Sequence, residues 1–247
     1  MNLKHIHKDP ALIAIAGGAL GLLLRSRLYR LGFDDKGILP ASHPLHIACL
    51  VLAAAMAVYL ALAVRKLPET REDRSSLRLL PGVAAGVLLL GHAFLLWQES
   101  AAPLNLIRCA LTAAAGLAMA LSVLPQGKNR NVSALCHGIV CAALAFDMLG
   151  RYQTWSGNPQ LPDYALHVPA GVALSLCAYQ TPAMHTGLSR AGFRKFWGLL
   201  ALFLCICCLS GPEHWAFYLS GALWAAVCLL TTVPQEEETG EESDVSA

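Results

Sequence analysis

The most regular feature of this chain is a series of apolar stretches free of Asp, Glu, Lys and Arg, separated by short charged segments. Residues 48–64, 79–97, 109–124, 164–189, 196–212 and 215–233 are six such stretches. Runs of about 17–25 apolar residues can each cross the ~30 Å hydrocarbon layer as a helix. Two further stretches, 11–24 and 132–146, are apolar but end on charge, in RSRLYR and in Asp147. Counting them predicts eight spans. Reading residues 1–24 as a cleaved signal peptide leaves seven, but Arg25-Ser-Arg27 directly after the apolar run makes a poor cleavage site. No stretch alternates with period two, which argues against a barrel, and backbone hydrogen bonding in lipid then requires helices. The expected fold class is all-α, a polytopic transmembrane bundle.

Composition agrees. The 247 residues are 56% hydrophobic and 14% charged, against about 25% charged in soluble chains. No loop is long enough for a separate soluble domain. We expect one bundle over residues 1–233 and an acidic, disordered cytoplasmic tail over 234–247, which ends in EEETGEESDVSA. Assigning loops alternately to two sides puts twelve Lys and Arg on one side and five on the other. The positive-inside rule then places both termini in the cytoplasm.

The two halves share punctuation. LPASHPLHIACL (39–50) resembles LPDYALHVPAGV (161–172), and VLPQ (123–126) resembles TVPQ (232–235). Arg30 precedes His46 by the same interval as Arg151 precedes His167. This suggests parallel repeats over 10–126 and 132–235, although apolar helices also share residues by composition alone.

Placed by depth, the polar residues near the spans collect at one face. Asp147 and Arg151 are one helical turn apart, acid first, the favoured order for an ion pair. Asp147 lies deep enough that lipid would make an unpaired charge costly. Asp163 and His167 repeat the spacing. Arg30, Arg108 and Arg151 at a vestibule would suit an anion through charge-assisted forks. The expected ligand set is Arg30, Arg108, Asp147, Arg151, Asp163 and His167. The arginines would hold a small anionic solute, Asp147 would orient Arg151, and His167 would donate a hydrogen bond or sense pH.

Plainer readings stand beside these. Asp163 after Pro162 is a good helix N-cap. Tyr152, Trp155, Tyr164 and Trp215 fit an interfacial aromatic belt. Arg25, Arg27 and Arg30 can snorkel to headgroups. His46, His137 and His185 read as hydrogen-bonded helix residues. Gly17-x-x-x-Gly21 and Gly82-x-x-x-Gly86 read as close helix contacts. The nine cysteines, including CICC at 205–208, fall in predicted spans and read as small core residues.

Other classes are narrowed by what is absent. A retinal pump needs a lysine in a span, and all six lysines fall outside the predicted spans. P-loop and GxGxxG motifs are missing, and no cofactor is called for. Ser220 in LSGALW is the only hint of a membrane serine protease. A metal-dependent membrane hydrolase would draw on His46, Glu99, Asp163, His167 and His214, without an HxxxH or HExxH to anchor it. A non-catalytic assembly or regulatory subunit, or a homo-oligomer, is the third alternative. Nothing points to nucleic acid. The chain, with RYQTWSGNPQLPDY as its most distinctive stretch, resembles an uncharacterised family of bacterial polytopic membrane proteins. That resemblance implies the bacterial inner membrane and no particular activity.

Overall fold

The computed structural model describes residues 9–32, 40, 42–65, 70–72, 76–99, 102–124, 130–155, 157, 161–186, 188–211, 214–230 and 232–234. They form eight α-helices: α1 Pro10–Leu31, α2 Pro44–Val64, α3 Leu79–Glu99, α4 Pro103–Val123, α5 Arg130–Trp155, α6 His167–His185, α7 Ala191–Cys208 and α8 Trp215–Leu230. Three of them start on proline, where the missing N–H costs nothing and φ is already helical. Asp9 caps α1 by accepting from the Ala11 N–H at 2.9 Å, and the His43 ring caps α2 by accepting from the Leu45 N–H at 3.3 Å.

Two helices run further than the apolar pattern suggests. α1 continues through RSRLYR, so Arg25 is inside it. α5 has 26 residues and carries Asp147, Arg151 and Tyr152 before it ends at Trp155. A charged residue ends an apolar run without ending a helix when the fold supplies it with partners.

The helices α3, α4, α5, α6, α7 and α8 pack in that order around a closed ring, with α8 returning to α3. α1 lies against α7 from outside, and α2 against α1 and α7. The core is densest along α7 and α8, where Phe203, Cys205, Cys208, Trp224 and Ala225 are fully buried. The CICC run is thus core packing, and all nine cysteines are free thiols.

Small residues permit the close contacts. A Cβ at Gly86 would lie 2.5 Å from the Gly116 carbonyl oxygen, and one at Gly116 2.9 Å from the Gly86 oxygen, so α3 and α4 touch through backbone. Gly18 and Gly21 bring α1 onto Ile206 and Cys207 of α7 in the same way. The Ser220 hydroxyl donates to the Ala85 carbonyl at 2.7 Å, which makes it a clasp between α8 and α3.

Five helices, α1 to α5, are long and apolar enough to cross a membrane, and α8 is a shorter apolar helix. Their outer faces expose Leu23, Val51, Val58, Val87, Phe94, Leu117, Leu135 and Leu149 to the surroundings. Water would not tolerate so continuous an apolar surface, and lipid requires it. This is a multi-pass helical membrane protein. At one end, Thr70–Glu72 pairs antiparallel with Thr232–Pro234. The acidic tail that follows is outside the described residues.

Candidate functional site

At the end of the bundle where α1, α3 and α5 finish and α4, α6 and α8 begin, buried polar side chains from six helices meet. The centre is Asp147 on α5, 2% exposed. Its Oδ2 accepts from Arg151 Nε at 2.5 Å, one turn along the helix, and its Oδ1 accepts from Arg108 Nη2 of α4 at 2.9 Å. Arg108 reaches it by running over Gly150. A Cβ at that position would lie 2.4 Å from Arg108 Cδ and 2.7 Å from its Nε. Gly150→Ala is therefore expected to displace Arg108 while leaving α5 helical. The effect would be read as weakened anion protection of the kind described below.

Arg151 is held on its other sides by aromatic rings. Its guanidinium carbon sits 4.3 Å from the centre of Phe217 and 5.8 Å from that of Tyr218, both on α8. Its Nη2 faces His92 Nε2 of α3 at 3.5 Å. The His92 ring meets Phe217 at 5.5 Å and, edge-on, His214 at 5.7 Å.

A second arm runs through His167, the first residue of α6. Its Nε2 is 3.0 Å from Arg25 Nη2, and its Nδ1 is 2.6 Å from the Tyr218 hydroxyl. Arginine offers only N–H groups, so Nε2 must present its lone pair, and Nδ1–H donates to Tyr218. Arg25 also donates to the Tyr29 hydroxyl at 2.9 Å and to Cys208 Sγ at 3.5 Å.

The structure thus joins Arg108, Asp147, Arg151 and His167, four residues expected from the sequence. It places Arg30 on the exposed side of α1 instead and brings in Arg25, which is 1% exposed. The buried stripe of α1, Ala14, Gly18, Gly21, Arg25 and Leu28, contains that arginine at helical spacing, and this was the signal that could have found it. Asp163 is not the N-cap of α6. It belongs to a 3-10 segment, Leu161–Leu166, and the cap residue is Leu166. Its side chain is outside the described residues, as is that of Glu99. Phe217 and Tyr218 were not singled out, because aromatics in apolar runs look like core. His137 is the hydrogen-bonded helix residue expected, on the Ser133 carbonyl at 2.8 Å.

Four buried atoms of the cluster have no hydrogen-bond partner among the described residues: Arg151 Nη1, Arg108 Nε, His92 Nδ1 and His214 Nδ1. Native interiors leave few such groups, and each one asks for an explanation. Among the described residues two guanidiniums, those of Arg108 and Arg151, share the Asp147 carboxylate, an excess of positive charge. Among the described residues no three His, Cys, Asp or Glu side chains converge as a metal site. No protein-family model, curated protein or solved structure matches this chain. The chemistry of the cluster itself is therefore the guide.

His214, just before α8, is kept neutral. Burial first, and then the Arg151 guanidinium, push its pKa from 6.5 down to about 3. The unfolded chain takes up this proton below pH 6.5 and the folded one does not until about 3, so stability falls as pH drops through that window. We expect the thermal midpoint in detergent to fall between pH 7 and 4.5, and to fall less in His214→Gln.

Proposed function

We propose that this membrane protein binds a small anion in the arginine cluster, at the face opposite its cytoplasmic termini. The carrying observation is the set of unpartnered N–H groups on Arg151 and Arg108, beside a carboxylate whose two oxygens are already occupied. A cation is disfavoured by the surplus of guanidiniums. An oxyanion would supply acceptors to donors that burial otherwise leaves costly. Arg108, 12% exposed, is the most accessible arm of the Asp147 triad and marks the side of entry.

The test is anion protection of the detergent-purified protein. Acetate or sulfate raises the thermal midpoint of wild type, while zinc and magnesium chloride at equal ionic strength do not. A ligand present at a hundred times its Kd stabilises by about 2.7 kcal/mol. Arg108→Met loses at least tenfold in apparent affinity, and Arg30→Met, outside the cluster, loses none. Equal protection in both variants would refute the site.

A further inference from the structure

Three of the four open positions of the cluster are donors, and this bears on which anion it accepts. Arg151 Nη1 and Arg108 Nε carry protons at any pH. His92 Nε2 faces Arg151 Nη2 at 3.5 Å, so that nitrogen presents its lone pair and the proton of the neutral ring is on Nδ1. His92 is 1% exposed, and its Nδ1–H is a third donor without a partner among the described residues. His214 Nδ1 is the fourth open atom, and no contact among the described residues sets which nitrogen of that ring carries the proton.

Among the described residues acceptors are in short supply: Asp147 is the one carboxylate they bring to the cluster, and each of its oxygens already takes a guanidinium, Oδ2 from Arg151 and Oδ1 from Arg108. Tyr218 Oη receives the His167 proton, and His167 Nε2 receives the Arg25 proton. An anion bearing its own O–H would bring a donor into a ring of donors. Either that proton or one of the protein's would stay buried without an acceptor, and a buried polar site discriminates strongly on such a mismatch.

We propose that the site selects fully ionised oxyanions that carry no proton, of the carboxylate or sulfate kind, and rejects hydrogen phosphate. This rests on the anion-binding reading above. The fixed tautomer of His92 and the double engagement of Asp147 carry it. Arg108 is then also a specificity residue, since it occupies the Asp147 oxygen that could otherwise accept a phosphate proton.

The experiment compares sodium acetate, sodium sulfate and sodium phosphate as ligands of the full-length protein in detergent. It is run at pH 7 and matched ionic strength, by calorimetry and thermal shift. At that pH every phosphate species retains at least one proton. We expect acetate or sulfate to bind at least about tenfold more tightly than phosphate. Acetate over sulfate assigns a carboxylate ligand, and the reverse assigns a sulfate-like one. Phosphate equal to or tighter than both overturns the selectivity while leaving an anion site in place. Protection by none of the three removes the anion site and this inference together. Arg108→Met frees Asp147 Oδ1, so the preference against phosphate narrows even as sulfate weakens. A ratio unchanged in that variant means that the shortage of acceptors does not set the selectivity. The wild-type comparison alone decides the main point, whether or not the variant folds.

Discussion

Asp147→Asn destabilises the folded protein by about 3–5 kcal/mol, the cost of removing one partner from a buried ion pair. The carboxylate is 2% exposed and its partner Arg151 4%, so the Arg151 guanidinium cannot turn readily to water. Arg151→Gln should cost a similar amount for the converse reason. The interaction is a triad, however, and this shapes the double variant. In Asp147→Asn/Arg151→Gln, Arg108 has still lost its charged acceptor at Oδ1, so stability recovers only in part. Adding Arg108→Gln should recover more. Denaturant titration of the four proteins in detergent reads this directly. Single variants as stable as wild type would show a hydrated carboxylate, and the strut role would fall.

Gly86→Val is the second large effect, and it acts through geometry alone. The obstacle is a carbonyl oxygen of α4, 2.5 Å from the new Cβ, which no side-chain rotation can move. The helices must separate, at a cost of about 1–3 kcal/mol for overpacking. Gly86→Ala should cost less. Gly91→Ala on the same helix meets no atom within 4 Å and should be neutral or slightly stabilising, since alanine is the better helix former. If Gly86→Val and Gly91→Ala melt alike, the backbone contact of α3 with α4 is not as close as described. The displacement also reaches the site. Asn105 donates to the Leu96 carbonyl at 2.6 Å and Cys109 to the Ala93 carbonyl at 3.1 Å, and these residues flank His92 and Arg108. Gly86→Val should therefore also weaken anion protection.

The cluster shows how far residue depth can be read from a linear chain. Alternating spans put the end of α5 and the start of α4 and α6 at one face, so Arg108, Asp147, Arg151 and His167 were legible together. Choosing between Arg25 and Arg30 was another matter. Five residues along an α-helix are about 140° apart around its axis, so the two cannot face the same neighbour. The match between Arg30–His46 and Arg151–His167 pointed to the wrong side of α1. The stripe through Gly18 and Gly21 points to the right one.

What this sequence determined by itself is the class of the molecule. Lipid demands long uncharged helices and tolerates charge only with partners, and both demands are written locally, in runs of residues and in the i, i+4 spacing of Asp147 and Arg151. Tertiary packing decided the rest. That α8 closes the ring onto α3 brings Phe217 beneath Arg151 and His92 beside it. That α1 docks on α7 carries Arg25 to His167. These contacts join residues more than fifty positions apart, and their direction depends on helix phase and on where small residues let two backbones meet. No single segment records either of those.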